Sequence, residues 1–255
     1  MISCGIDAGS RTIKAILLRD GKTIGKAIRV AGLELEQDIA AAMDEAVAAA
    51  GISRKDITAL AATGSGREAV QGAKLKPTTI GAAARGIHFL FPDVRMLIDV
   101  GAEEGRAIQC ERGKATNFVI NEKCAAGAGT FIESMSRTLE IAVNDFGPMA
   151  LKSTNLVPMN AQCAVFAESE VVSLIHTRTA KEDIARAICD AMAGRIGSMS
   201  RRISVTPPIA LAGGVARNKG FVRSLENDLK VELLIPPDPE FVCAIGVALM
   251  AGEEK

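Results

Sequence analysis

One arrangement of residues occurs twice in the sequence, about 90 residues apart. In each copy a segment predicted as a strand ends at Asp-x-Gly, a second strand follows, and a charged turn with glycine leads to a third. The first copy contains Asp7 and Gly9, and the second contains Asp99 and Gly101. A repeat this long predicts two similar subdomains rather than a solenoid. Chance similarity of two strand meanders is the alternative.

Each copy continues from strands into segments of helical spacing, the order typical of an α/β fold with helices packed on twisted sheets. The pattern restarts at Pro92, so the predicted subdomains are residues 1–92 and 93–255. The predicted helices are 35–50, 79–90, 131–139, 165–175, 184–203, 218–229 and 241–250, and the predicted strands are 2–7, 12–18, 23–30, 58–63, 95–100, 106–110, 116–120, 209–212 and 231–235.

Composition argues against several classes of protein. Lys plus Arg and Asp plus Glu number 30 each, so no field of one sign attracts nucleic acid or an anionic membrane. The absence of Trp and Tyr argues against base stacking. No apolar segment approaches the roughly 18 residues that span a bilayer. The first residues have strand character rather than a signal-peptide pattern, so we expect a cytoplasmic protein with reduced cysteines.

The segment from Asp7 to Lys14 has the chemistry of a phosphate-binding turn. Gly9 lacks a Cβ and so lets backbone N–H groups approach a phosphate, while hydroxyl and ammonium groups complete the site. Asp7 would repel the phosphate unless a divalent cation, expected to be Mg²⁺, lies between them. An ordinary hairpin with a surface lysine is the alternative. The predicted nucleotide ligands here are Gly9, Ser10, Arg11, Thr12 and Lys14.

Two further glycine turns extend this prediction. Asp99 and Gly101 repeat the first motif, and two such hairpins facing each other across a cleft would hold a triphosphate and its Mg²⁺. Gly213-Gly214 follows a predicted buried strand and precedes a helix at Asn218, so adenosine could lie against its backbone. An ordinary strand-to-helix turn is the alternative. The sequence lacks both GxxxxGK[ST] and GxGxxG after a strand, which excludes a P-loop and a dinucleotide fingerprint.

The six cysteines fall into two groups. Four lie in apolar segments and are predicted to be buried: Cys4, Cys110, Cys189 and Cys243. Cys124 and Cys163 instead precede predicted helices, whose N-termini lower a thiol pKa. Two cysteines cannot complete a four-thiolate site, but two copies of the pair can, which predicts a [4Fe–4S] cluster shared between two subunits. A pair of core thiols is the alternative.

Four segments together resemble one known family. They are Asp7-x-Gly9-Ser10-x-Thr12-x-Lys14, Asn121-Glu-Lys-Cys124-Ala-Ala-Gly127-Ala-Gly129-Thr-Phe131, Cys163-Ala-Val-Phe-Ala-Glu168-Ser-Glu170-Val and Gly213-Gly214-Val-Ala-Arg-Asn218. Nearly the whole chain resembles the ATPase components of benzoyl-CoA reductase and the activators of 2-hydroxyacyl-CoA dehydratases. The resemblance implies the fold of actin, sugar kinases and heat-shock chaperones, with two related subdomains around an ATP cleft. It also implies that Cys124 and Cys163 bind a [4Fe–4S] cluster at a dimer interface, and it adds Gly127 to the predicted cofactor-binding residues.

The resemblance further implies an ATP-dependent oxidoreductase component that drives electrons from ferredoxin to catalytic subunits. Gly101-Ala-Glu103-Glu104 departs from the Gly-Gly-Gln-Asp of the activators and looks more like the smaller, D-type ATPase subunit of benzoyl-CoA reductase. We therefore expect an ATPase subunit of a benzoyl-CoA-reductase-like complex, paired with a paralogous ATPase subunit in a pseudo-symmetric heterodimer. The predicted catalytic residues are Asp7, Asp99 and Glu103. Glu103 or Glu104 would position the attacking water or reach the Mg²⁺ shell.

Three alternatives remain at this level. Within the family, the chain would be a homodimeric activator of a 2-hydroxyacyl-CoA dehydratase or of a related double-cubane enzyme. Outside the family, it would be an actin-like sugar or acyl kinase with structural cysteines, or an ATP-binding scaffold without turnover. A kinase needs a catalytic Asp base and a substrate pocket in the same chain, and iron and sulfide in anaerobically purified protein would exclude it.

Overall fold

The computed structural model describes residues 1–121, 129–159 and 164–254. The strands in these ranges are β1 Ile2–Ala8, β2 Thr12–Arg19, β3 Lys22–Val30, β4 Ala59–Thr63, β5 Met96–Val100, β6 Gly105–Glu111, β7 Lys114–Asn121, β8 Ile209–Ala212 and β9 Leu233–Leu234. The helices are α1 Leu35–Ala50, α2 Thr79–Leu90, α3 Gly129–Thr138, α4 Val143–Ala150, α5 Ala164–His176, α6 Lys181–Arg201, α7 Lys219–Leu229 and α8 Val242–Glu253.

The first sheet has the strand order β3-β2-β1-β4. Its first three strands are antiparallel neighbours, and β4 runs parallel to β1. Side chains alternate along β2, so Ile13, Ala15 and Leu17 face one side of the sheet and Ile16 and Leu18 face the other. Helix α1 covers the first side and α8 covers the second. This sheet therefore has a hydrophobic layer on each face.

In each copy of the repeat, a two-residue turn connects the second strand to the third. Asp20 and Gly21 both have positive φ, at 50° and 78°, and Arg112 and Gly113 match them at 48° and 77°. Turns with two positive φ values twist in the same sense as the flanking strands and favour tight hairpins. The three-strand meander predicted for each copy is confirmed.

The second sheet has the order β7-β6-β5-β8-β9. β5 is antiparallel to β6 and parallel to β8, so it occupies the same position as β1 in the first sheet. The core beside this sheet includes one buried aromatic ring from each of α3, α4 and α7: Phe131, Phe146 and Phe221. Within the described ranges, no helix combines the length and the apolar character needed to cross a membrane.

Two elements differ from the sequence prediction. Helix α4 contains Gly147 and Pro148, residues that disfavour helix interiors, and the sequence pattern assigned no element there. Tertiary packing explains the glycine, because a Cβ on Gly147 would lie 2.6 Å from Asn218 Oδ1. The strand predicted over 231–235 is reduced to β9, which pairs only through the first two residues of β8.

The described chain divides into two compact units. The first comprises Met1–Val94, Cys110–Thr116 and Glu240–Lys255, and the second comprises Arg95–Gln109 and Asn117–Pro239. The first unit includes α8 because this helix packs on the first sheet, whereas the sequence-based division groups α8 with the second half. Each unit contains one Asp-x-Gly motif, whereas the turn at Arg112 and Gly113 of the second copy belongs to the first unit.

Candidate functional site

The first Asp-x-Gly motif connects β1 to β2 through residues 9–12, here called the first loop, whose last residue, Thr12, is also the first residue of β2. Asp7 pairs in register with Lys14, and Lys14 Nζ lies 3.8 Å from Asp7 Oδ2. Both side chains are largely buried, with 12% of Asp7 and 14% of Lys14 exposed. The Gly9 N–H closes the loop by donating to the Thr12 carbonyl at 3.2 Å. Asp7 and the predicted ligand Lys14 therefore form a largely buried ion pair at the base of the loop.

The second motif connects β5 to β6 in the same way, through residues 101–104, the second loop. Asp99 pairs in register with Arg106, whose Nη1 lies 3.0 Å from Asp99 Oδ2. Arg106 Nη2 also binds the carboxylate of Glu104. The Gly101 N–H donates to the Glu104 carbonyl at 2.9 Å. Each aspartate thus has a cation directly opposite it on the neighbouring strand.

Arg106 is not among the residues predicted from the sequence, although the sequence contains a signal for it. Lys14 stands seven residues after Asp7, and Arg106 stands seven residues after Asp99. The two loops have the same length, so the same register places each cation beside its aspartate. Spacing within the repeat would have identified this arginine.

The two loops have the same backbone register and closing hydrogen bond, but they carry opposite charge. After the glycine, the first loop has Ser10, Arg11 and Thr12. At the matching positions the second loop has Ala102, Glu103 and Glu104. Beyond the aspartate–cation pair, the first loop is therefore basic and hydroxyl-rich, which suits an anion. The second is acidic, which suits a cation or a water molecule that needs a hydrogen-bond acceptor.

A glycine with positive φ follows the parallel neighbour of each aspartate-bearing strand. Gly64 follows β4 with φ 91°, and Gly213 follows β8 with φ 85°. The residue before each glycine pairs in register with the aspartate. A Cβ on Gly64 would lie 2.8 Å from Asp7 Oδ1, and one on Gly213 would lie 2.8 Å from Asp99 Oδ1. The two glycine turns, residues 64–67 and 213–216, are structural counterparts.

The second glycine turn leads through a short 3₁₀ turn, Gly214–Arg217, into α7. A Cβ on Gly214 would meet nothing within 4 Å, so this position leaves room for a ligand against the backbone. Asn218 Oδ1 accepts the Phe221 N–H at 3.0 Å and so caps α7. This capping role was not foreseen, and the contact of Asn218 with adenosine stays a prediction.

The cysteines expected in the core are buried: Cys4, Cys110, Cys189 and Cys243. Burial raises the pKa of Cys4 to about 12 and also raises the pKa of Cys189, so both thiols stay protonated at neutral pH. Cys124, Cys163 and Gly127 lie outside the described residues. Within the described ranges, no three His, Cys, Asp or Glu side chains group as metal ligands.

Comparison with known proteins places the chain in a family. The sequence profile of the BadF/BadG/BcrA/BcrD ATPase family matches residues 4–251. The chain belongs to this ATPase family. The resemblance inferred from the four motifs is thereby confirmed at the level of the family.

Members of the family with assigned roles align over nearly their whole length. The (R)-2-hydroxyglutaryl-CoA dehydratase activating ATPase of Acidaminococcus fermentans is 36% identical, over 97% of this chain and 95% of its own. The 2-hydroxyisocaproyl-CoA dehydratase activator of Clostridioides difficile is 32% identical, over 100% and 96%. The D-type subunit of benzoyl-CoA reductase from Thauera aromatica is more distant, at 30% identity over 97% and 92%.

Solved structures identify the fold. Component A of (R)-2-hydroxyglutaryl-CoA dehydratase from A. fermentans superposes with a TM-score of 0.97 at 34% identity, covering 99% of this chain and 98% of that one. A glucokinase of the ROK family from Streptomyces griseus, 12% identical, shares only the fold, with a TM-score of 0.62 and full coverage of both chains. The actin-like ATPase fold expected from the resemblance is confirmed.

Proposed function

We propose that this chain is an ATP-hydrolysing activator that delivers low-potential electrons to a partner enzyme acting on a 2-hydroxyacyl-CoA. The observation that carries the proposal is the end-to-end similarity, in sequence and in structure, to activators of 2-hydroxyacyl-CoA dehydratases. This choice replaces the benzoyl-CoA reductase assignment, which the comparisons do not specifically favour because that relative is more distant.

The first loop supports a role in binding the phosphates of ATP. Lys14 already neutralises Asp7, so Arg11 adds a further positive charge at the loop. The hydroxyls of Ser10 and Thr12 can donate hydrogen bonds to phosphate oxygens, as can backbone N–H groups beside Gly9. We assign these groups to orientation of the phosphate chain.

The second loop supports a role in hydrolysis. Arg106 binds both Asp99 and Glu104 and therefore holds two carboxylates of this loop in place. Glu103 stands exposed at the tip, where it can accept a hydrogen bond from water. We assign Glu103 to orienting the attacking water. Mg²⁺ bound with ATP would neutralise charge on the phosphates, and the roles proposed for Asp7 and for Asp99 as its carboxylate ligands rest on the sequence alone.

A direct connection links the second loop to the start of α3. The Gly129 N–H donates to the Gly101 carbonyl at 2.9 Å, and the Thr130 N–H donates to the Ala102 carbonyl at 2.9 Å. The segment that carries Cys124 immediately precedes this helix in the sequence. A change in the second loop on ATP binding or hydrolysis would therefore move the first turn of α3. We assign to this connection the coupling between nucleotide and redox centre.

Cys124 and Cys163 are proposed to supply the thiolates of a [4Fe–4S] cluster, two from each of two chains, on the sequence evidence alone. In this proposal the electrons come from ferredoxin and leave to the partner enzyme. For an activator of this type the two chains are copies of one another. This departs from the heterodimer expected from sequence analysis, which belongs with the second candidate below.

The second candidate is an ATPase subunit of a benzoyl-CoA-reductase-like complex that reduces an aromatic acyl-CoA. One observation favours it: the Gly-Ala-Glu-Glu sequence of the second loop, which looks like that of the D-type ATPase subunit. In that case the second ATPase subunit would be a paralogue of this chain. The two candidates differ in the composition of the native particle.

The deciding experiment is anaerobic purification of the native complex, with iron and sulfide analysis, native mass spectrometry and an ATPase assay with reduced ferredoxin. An activator predicts two identical chains, four iron atoms per pair and ATP-dependent reduction of a dehydratase-type partner. A paralogous second ATPase chain would instead establish the reductase candidate.

Variants of the cysteines provide the matched control. Cys124→Ser and Cys163→Ser should each remove the iron while ATP binding persists. Cys4→Ala and Cys189→Ala change buried thiols that stay protonated, so they should keep the iron. Full iron content in Cys124→Ser protein would disprove the cluster assignment.

A further inference from the structure

The first glycine turn has no assigned role, although its counterpart does. Gly64, like Gly213, adopts positive φ and lies against the carboxylate of the aspartate next to it. In both turns the N–H three residues later donates to the glycine carbonyl, Arg67 at 3.4 Å and Ala216 at 3.2 Å. The second glycine turn is the predicted adenosine contact. The same backbone arrangement in the first unit is therefore a candidate ligand-binding turn in its own right.

The two turns carry different chemistry at matching positions. Where the second turn has Gly214 and Ala216, the first has Ser65 and Arg67. The second turn thus presents bare backbone, which suits a flat nucleoside. The first adds a hydroxyl and a guanidinium, the combination that recognises a phosphate.

The first glycine turn lies beside the first loop. The Gly66 N–H donates to the carbonyl of Ala8 at 2.9 Å, and Ala8 directly precedes Gly9. Ser65 is exposed, and Arg67 Nη1 donates to the Gly64 carbonyl at 3.3 Å. This bond holds the guanidinium against the turn rather than extended into solvent.

The charges at this edge of the first sheet are unbalanced. Asp7 and Lys14 neutralise each other, and Arg67 is paired only loosely with Glu68, at 3.4 Å. Glu68 is 73% exposed and also pairs with Lys76 at 3.1 Å. An exposed carboxylate shared between two cations contributes little to either, because water screens it. Arg67 therefore retains the capacity to bind a phosphate.

We propose that Ser65 and Arg67 form a second phosphate-binding turn that contacts the terminal phosphate of ATP. The proposal rests on the function proposed above, and it deepens it by making Arg67 the group that distinguishes ATP from ADP. The first loop would bind phosphates common to both nucleotides, whereas Arg67 would bind the phosphate that only ATP carries.

Calorimetric titration with ADP and with the non-hydrolysable analogue ADPNP tests this assignment. Arg67→Gln should weaken binding of ADPNP about tenfold and change binding of ADP less than about twofold, because one charge-assisted contact is lost only with ATP. Ser65→Ala should act in the same direction with a smaller effect. Arg67→Lys should recover part of the affinity for ADPNP.

Glu68→Gln is the matched control, since it alters the neighbouring charge without touching the phosphate, and both affinities should stay within about twofold. Equal loss of ADP and ADPNP binding in Arg67→Gln, or no loss of either, would overturn the inference. Wild-type protein that binds and hydrolyses ATP separates that failure from failure of the proposed function. Wild-type protein that binds neither nucleotide would overturn both.

Discussion

Asp183 shows how one carboxylate can fix a loop that precedes, in the sequence, the segment proposed to hold a cluster ligand. It accepts hydrogen bonds from Ser153 Oγ at 2.8 Å, from the Thr154 and Asn155 N–H groups at 3.1 Å, and from Asn155 Nδ2 at 3.0 Å. These bonds lower the pKa of Asp183 to about 2, and the bonds from Asn155 make the largest contribution. Asp183 also lies in the first turn of α6, where a negative charge is favourable. The loop it holds leads in sequence toward Cys163.

The depressed pKa gives a pH-dependent prediction. A carboxylate whose pKa is lower in the folded state stabilises the fold above its ordinary pKa and loses that contribution as pH falls toward 2. Asp183→Asn should therefore lower the thermal unfolding midpoint at pH 7. The difference in midpoint between variant and wild type should narrow between about pH 4 and pH 2. Glu182→Gln, on the same turn, is the control. A gap that stays constant with pH would show that ionisation of Asp183 is irrelevant.

Helices α2 and α8 cross at unusually short range within the first unit. A Cβ on Gly86 would overlap the Val242 carbonyl oxygen, and a Cβ on Gly246 would overlap the Ala82 carbonyl oxygen. The two backbones are therefore in direct contact, and each glycine makes room for the opposite helix. Small residues at this crossing are a packing requirement rather than a consequence of turn geometry.

Substitution at this crossing should destabilise the protein. Gly86→Ala or Gly246→Ala inserts a methyl group against backbone, which cannot move aside, and should cost about 3 kcal/mol of unfolding free energy in urea denaturation. Gly81→Ala on the same helix meets only an ordinary contact, 3.5 Å from Thr78 Oγ1, and should be neutral or stabilising. Equal effects at the two positions of α2 would argue against the packing explanation.

Sequence periodicity predicted most elements because strand alternation and turn residues are local signals. The meanders carry Asp20-Gly21 and a matching turn with Gly113, and both form as expected. Helix α4 escaped prediction because its glycine is explained by close contact with residues more than 70 positions away, Asn218, Lys219 and Gly220. Local propensity does not contain such a contact.

The candidate site was predictable only in part. Both Asp-x-Gly motifs are visible in the sequence, whereas the equivalence of Gly64 and Gly213 is not, because the segments separating them from Asp7 and Asp99 differ in length. Only the sheet register shows that each glycine stands beside its aspartate. The register also shows that the two loops occupy equivalent positions, so their opposite charges can be compared residue by residue.

Because the two loops occupy equivalent positions in the repeat, the roles proposed for them can be tested by exchanging their residues. Replacing the first loop with the second (Ser10→Ala, Arg11→Glu, Thr12→Glu) should weaken ATP binding at least about tenfold, because it places two carboxylates beside the phosphates. The reverse exchange (Ala102→Ser, Glu103→Arg, Glu104→Thr) should lower kcat about tenfold or more with ATP affinity nearly unchanged. Calorimetry and a phosphate-release assay separate the two effects. Identical defects in both proteins would disprove the division of roles.

Helix α8 completes the first unit but is synthesised after the whole of the second unit. One face of its sheet, at Ile16 and Leu18, is covered by Phe241, Ala244 and Ile245, which follow only after the entire second unit has been made. At a synthesis rate of about 5–20 residues per second, that face stays uncovered for roughly ten seconds or longer. The apolar surface of the earliest strands is therefore exposed on the ribosome while the second unit emerges. Nascent chains of this protein should engage chaperones through the sheet that is synthesised first.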